Sequence, residues 1–283
     1  VIDLAPHHKH GLVVSSPVLL AGGVLGAGDS LPPGLDATSL GAIVIGPLTE
    51  RSRAGSATPR LAEFPGGFVL DAGGQNRGVD ATLRHSQRMW PGLGCPIIIQ
   101  LADHQPQALT ASARRLAADP SIHGFELLLP INADNEVARG LVKTLVRASD
   151  LPVWVKLPLE AAPQLASSSV ECGAVGLVVA QPPVGTVRRN ATDGSVHWVT
   201  GSVFSAAVFP LVLRALRIVE RMALPAALIA AGGLNNAEQV DQALAAGAQA
   251  VQIDSLVWAE PALVRMIGER GEAGAAADAH RAR

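Results

Sequence analysis

Short apolar runs alternate with segments of helical period along most of the chain, and this alternation restricts the fold more than any other feature. The stretch from Ile229 to Val257, IAAGGLNNAEQVDQALAAGAQAVQIDSLV, shows one unit clearly. Residues 227–230 and 250–253 are apolar runs of strand length, and Val240, Ala243 and Leu244 recur between them at helical spacing. Strand, Gly232-Gly233 turn, helix and strand make a βαβ unit, whose two strands run parallel. Similar apolar runs occur at 12–20, 40–45, 68–76, 95–101, 124–129, 151–157 and 176–180, and helical patterns at 79–89, 106–118, 135–149, 163–172 and 206–222. About eight alternations of short, continuously apolar strands suit a parallel sheet buried on both faces. The order and length predict an α/β fold, a (β/α)8 TIM barrel forming a single domain over residues 1–283, with a doubly wound open sheet as the alternative. Residues 187–199 break the pattern. They carry alternation, charge and an Asp193-Gly194 turn, which predict a β-hairpin inserted on the loop side of the barrel. The Ala- and Gly-rich tail from about 269 to 283 is expected to be frayed helix or disordered.

Composition narrows the class of function. With 48% hydrophobic and 16% charged residues, the chain can bury a large core. A net charge of −2 without a basic block argues against a nucleic-acid partner. No run of about eighteen apolar residues is present to span a membrane. Two cysteines, Cys95 and Cys172, behind an N-terminus without a signal pattern predict a reducing, cytoplasmic setting and no disulfide framework. His7, His8 and His10 lie close together without a carboxylate or cysteine cluster, so no metal site is predicted. Arg51, Arg53 and Arg60 fall in a polar loop that reads as solvated, with an anion-binding lid as the alternative.

Two features point to chemistry on their own. Gly232-Gly233 lies where a strand ends and a helix approaches, so its backbone can take positive φ and come close to a ligand; a ligand-free tight turn is the alternative. Lys156 sits within the apolar strand LPVWVKL, where a charge is costly to bury. It is therefore either a functional group or half of a structural salt bridge.

The ordered motifs SPVLLAGGVLGAG, LGAIVIGPLT, RAGSATPRLAE and DAGGQNRGVD, followed by PVWVKLP, GAVGLVVAQ and AAGGLNNAEQVDQALAAGAQAVQI, resemble the dihydroorotate dehydrogenase family. The resemblance runs from about Ser16 to Ala259 and implies an FMN enzyme built on a (β/α)8 barrel. It implies that Ala21 and Gly22 lie along the flavin ring and that Lys156 stabilises negative charge on the reduced ring. Gly201, Gly232, Gly233 and Ser255 would approach the FMN phosphate, and Asn76 would match a substrate-binding asparagine.

The sequence also departs from that family. Pro47 stands where the family has a lysine, and Gln100 and Gln181 stand where it has asparagines, each moving the amide by about one methylene. The loop after the fourth strand reads Leu127 to Ala133 and offers no cysteine or serine base. The Gly-Gly-x-Ser-Gly phosphate loop becomes Gly201-Ser202-Val203-Phe204-Ser205, and the final Gly-Thr becomes Asp254-Ser255. A carboxylate about 4 Å from a phosphate repels it by roughly 4 kcal/mol at an effective dielectric near 20.

The sequence therefore predicts an FMN-dependent oxidoreductase acting on a small-molecule substrate other than dihydroorotate, with Asp71, Glu50 and Asp103 as replacement acids or bases. The chief alternative is a barrel that has lost flavin and catalysis and serves as a non-catalytic subunit or scaffold. A Schiff-base enzyme using Lys156 is a third reading. A homo-oligomer or a subunit of a larger complex is expected, and any iron–sulfur cluster would belong to another subunit.

Overall fold

In the computed structural model, which describes residues 2–86, 88–190 and 194–269, eight parallel strands close into a barrel. They are β1 (Val18–Leu20), β2 (Ala42–Leu48), β3 (Ile97–Leu101), β4 (Ile122–Leu128), β5 (Val153–Pro158), β6 (Gly176–Gln181), β7 (Ala227–Ala231) and β8 (Ala250–Ile253). Each pairs with the next in sequence, and β8 pairs with β1 through Val251 opposite Val18. The connections carry α1 (Val79–Ser86), α2 (Pro106–Leu116), α3 (Asn135–Ala148), α4 (Ala162–Glu171), α5 (Phe209–Glu220), α6 (Ala237–Ala245) and α7 (Leu256–Ala259). A single 3-10 turn, Ala37–Ser39, stands between β1 and β2. Local chemistry sets several helix starts. Asp134 and Asn236 cap α3 and α6 by accepting from Val137 N and Gln239 N, each at 2.9 Å. Pro106, Pro163 and Pro210 fall in the first turns of α2, α4 and α5, where a missing N–H is harmless. The predicted (β/α)8 barrel is the observed fold.

Strand pleating sorts the side chains into two cores. One set, including Ile43, Ile45, Phe125 and Leu157, faces outward and packs with Leu109, Leu141, Leu165 and Leu216 of the helices. The other parity points into the barrel. Leu19, Val44, Ile98, Trp154, Val178 and Ile229 pack there with Leu4, Leu12 and Val14 of an N-terminal ribbon that closes the lower end. Trp154 fills that end. Its Nε1 donates to Leu4 O at 2.9 Å, and its indole occupies space left by two glycines on flanking strands. A Cβ on Gly124 or on Gly176 would lie 2.3 Å from the ring.

The structure revises the sequence reading at the other end. The inserted hairpin spans Val184–Asn190 and Val196–Ser205 rather than 187–199 alone. It pairs with Gly67–Leu70, which in turn pairs with Leu61–Phe64, in a four-stranded antiparallel sheet. The run at 68–76 is therefore not part of the barrel alternation: its strand, Gly67–Leu70, finds an antiparallel partner in the hairpin, with Phe68 opposite Phe204. Residues 61–70 lie between β2 and α1, and 184–205 between β6 and α5, on opposite sides of the barrel. Both connections leave the carboxyl ends of their strands, so the sheet caps that mouth. Asp193 of the predicted turn and residues 270–283 of the predicted tail lie outside the described residues.

Trp154→Ala should lower the unfolding free energy by about 3–5 kcal/mol, because neither glycine-lined strand can collapse into the vacated space. Urea titration followed by far-UV circular dichroism measures it. A loss below about 1 kcal/mol would mean that the indole does not carry the lower core.

Candidate functional site

The inward parity that places Trp154 low in the barrel places Lys156 one layer higher. The same argument lifts Gln100 above Ile98, Glu126 above Gly124 and Gln252 above Ala250. These four side chains are buried and bonded to one another. Lys156 Nζ donates to Gln252 Oε1 at 2.7 Å and lies 3.9 Å from Glu126 Oε1. Gln252 Nε2 donates to Glu126 Oε2, and Gln100 Nε2 donates to Glu126 Oε1 at 2.6 Å. Glu126 is 1% exposed and Lys156 4%. A buried charge requires a partner and filled hydrogen bonds, and the two amides supply the bonds that the ion pair leaves open.

Above this layer, under the cap sheet, lies a cavity of about 500 Å³. Gly22, Gln100, Lys156 and Asp254 line its barrel side, and Leu128, Ile131, Gly201, Phe204 and Trp258 line its walls. A Cβ on Gly22 would lie 2.6 Å from the Gln100 amide, so the residue there must be small. Phe204 stacks on Phe68 at 5.1 Å between centroids, and Trp258 tilts against both rings. Asp254 Oδ1 accepts from Ser255 N and from Ser255 Oγ, the latter at 3.1 Å. Burial pushes the Asp254 carboxyl above the usual range, opposed by the Ser255 bonds and by the Lys156 charge.

The predicted residues divide between this cavity and the framework around it. Lys156, Gly22 and Gly201 line the cavity. Ala21 is buried behind it, with its N–H bonded to Ile253 O at 2.9 Å. Asn76 is not brought there: its Nδ2 donates to Gly74 O at 2.9 Å and its Oδ1 accepts from Gly78 N at 2.8 Å, and Thr49 takes the remaining bonds. Gly232 and Gly233 do not line the cavity, and the Ser255 hydroxyl is turned to Asp254. Gln181 lines it but donates its amide to Leu129 O and Lys156 O, at 2.9 and 2.8 Å.

Of the replacement acids, Asp71 lines the cavity. Asp103 is buried and accepts from Glu50 N and Ser112 Oγ, which makes it a framework residue, and Glu50 is exposed. Arg53 and Arg60 reach Ala102 O and Gln75 Oε1, so both tie loops together. Burial pushes the Cys95 thiol up to about 12, well above thiolate chemistry. Among the described residues, no group of three His, Cys, Asp or Glu is placed to hold a metal ion.

Glu126 is the residue that sequence reasoning passed over. It lies in GFELLL, which reads as one more apolar strand. The available signal is parity: an acid in a buried strand, next to the strand that carries the buried lysine, has to be its partner.

Glu126→Ala should destabilise the fold by about 3–5 kcal/mol by leaving Lys156 charged and unpaired, whereas Glu126→Leu combined with Lys156→Met should recover most of that loss. Chemical denaturation of the single and double variants measures both. Additive losses would show that the pair is not coupled.

Comparison with known proteins places this geometry. The chain matches the family model described as dihydroorotate dehydrogenase over residues 8–270. The catalytic subunit of dihydroorotate dehydrogenase B (NAD(+)) from Bacillus cereus strain G9842 is 29% identical over 264 residues, covering 89% of this chain and 85% of that one. The corresponding protein of Bacillus mycoides strain KBAB4 has the same identity and coverage. Among solved structures, the DHODH of Eimeria tenella in complex with ferulenol shares the fold, with a TM-score of 0.69 at 15% identity over 89% of this chain and 79% of that one. The barrel and a sequence match over nearly the whole length agree: the chain belongs to the dihydroorotate dehydrogenase family.

Proposed function

We propose that this chain is a flavin-dependent oxidoreductase whose substrate is a small molecule less polar than dihydroorotate. The family is one of FMN-dependent oxidoreductases, and membership supports FMN as the cofactor. The observation that carries the proposal is Lys156, a buried cation presented at the floor of a capped cavity.

The cavity fits the ring of a flavin. Its volume lies within the range of about 300–1,000 Å³ usual for small-ligand sites. Gly22 keeps the floor free of a side chain, and Lys156 would hold the ring. A bound flavin supplies a ring that accepts or releases a hydride. Lys156 would stabilise negative charge gathering on that ring, an effect partly offset by its Glu126 partner at 3.9 Å. Trp258, Phe204 and Ile131 give the cavity an apolar wall against which a ring can pack.

The substrate side supports a departure from dihydroorotate. Leu128 and Ile131 form the wall where the family pattern carries polar groups and a base. The amides of Gln181 and Asn76 are engaged with the protein's own backbone. The carboxyls lining the cavity are Asp71 and Asp254.

A subunit contact is proposed at the hairpin. The curated relatives are named catalytic subunits. Trp198 and Val196 share the face of Phe204 but project past the mouth, Trp198 being 68% exposed. Trp198→Asp should leave the fold intact and reduce the native mass in light scattering; an unchanged assembly moves the contact elsewhere.

The purified protein should show flavin absorption bands that pass to the supernatant on boiling, and dihydroorotate should fail to bleach them. Lys156→Ala should release flavin or lower its midpoint potential by about 30 mV or more, equivalent to tenfold in a two-electron equilibrium. A colourless protein that takes up neither FMN nor riboflavin refutes the proposal.

A further inference from the structure

The end of the cavity next to the loops after β7 and β8 is where a (β/α)8 barrel commonly binds a phosphate. Here the glycines after β7 serve helix packing, and the loop after β8 carries a carboxyl of its own. Gly232 and Gly233 take φ of 109° and 72°, but a Cβ on Gly233 would lie 2.5 Å from Phe209 N and 3.0 Å from Ser205 O. A Cβ on Gly232 would lie 3.3 Å from Val212 Cγ2. The two glycines thus let the first turn of α5 pack on the end of β7.

After β8, the N–H and hydroxyl of Ser255 both bond to the Asp254 carboxyl, so these donors are already occupied by a group of the chain itself. Phe204 and Trp258 add an apolar wall, with centroids 6.1 Å apart. Among the described residues that line the cavity, the one cation is Lys156, and it is bonded to Gln252.

We infer that this site binds the flavin ring without reading a phosphate, with the Asp254 carboxyl standing in place of that anion, so that riboflavin is held at least as tightly as FMN. The inference rests on the flavin reading above. It holds for either protonation state of Asp254. Ionised, the carboxylate repels a phosphate; protonated, it still occupies the Ser255 donors.

Equilibrium titration of the flavin-free full chain with riboflavin and with FMN, followed by flavin fluorescence, tests it. Riboflavin should bind as tightly as FMN or tighter. Asp254→Gly should strengthen FMN binding about tenfold or more while leaving riboflavin near its wild-type affinity, which also reports an intact site. Asp254→Ala, which removes the carboxyl without adding glycine's backbone freedom, is the second variant and should change the ratio in the same direction. FMN binding measurably tighter than riboflavin to the wild-type chain overturns the inference and leaves the flavin reading standing. An unchanged ratio in both variants overturns the role of Asp254. Failure of both flavins to bind the wild-type chain overturns the flavin reading and this inference with it.

Discussion

A carboxylate sealed inside a barrel must be answered by a cation and by donors, and the upper half of this molecule is arranged around that requirement. Glu126 is met by Lys156 and by the amides of Gln100 and Gln252, which come from β3, β5 and β8. Lys156 and Gln252 are 96 positions apart in the chain, so closure of the barrel is what brings them to 2.7 Å. The arrangement also orients the lysine. A flexible four-carbon stem bearing a strongly hydrated charge has many places to go, and one short bond to a buried amide selects among them.

The barrel interior is divided by polarity along its axis. Its lower half is apolar and plugged, with Trp154 held between Gly124 and Gly176 and bonded to the N-terminal ribbon. Its upper half is polar and opens into a capped cavity. In (β/α)8 barrels chemistry lies at the carboxyl ends of the strands and stability at the other end, and this chain follows the rule. The cap adds enclosure. Its strands arise from the connections after β2 and β6, on opposite sides of the mouth, and meet over it through a shared antiparallel sheet. Few aromatic residues are present in the chain, yet Phe68, Phe204 and Trp258 gather at that mouth.

A fold can be shared while residues at its mouth differ, because different parts of the motifs serve different ends. Glycines that permit close backbone approach serve a ligand or a neighbouring helix equally well. At Gly233 the neighbour is the start of α5. Leu128 and Ile131 after β4 and Asp254 after β8 set the lining of the cavity, while the barrel beneath is built by the apolar strand positions. Fold and function are separable for this reason.

Much was legible in the sequence. Periodicity is a local property, so the strand and helix alternation, the barrel, the hairpin and the significance of a lysine in an apolar strand could be read directly. Asp254, Pro47 and the Leu127 to Ala133 loop stood out only against the family resemblance, not from periodicity. Partnership is not local. That Gly67–Leu70 leaves the barrel to pair with the hairpin depends on a strand more than a hundred residues away. That Asn76 turns its amide to its own loop, that Gly232 and Gly233 meet α5, and that Glu126 anchors Lys156 are contacts between residues the chain itself does not place side by side. The sequence by itself determined the parity of each strand and hence which residues point inward. Only tertiary closure decided which of those inward groups meet, because hydrogen bonds and ion pairs act over a few ångströms and only the closed barrel brings distant residues that close.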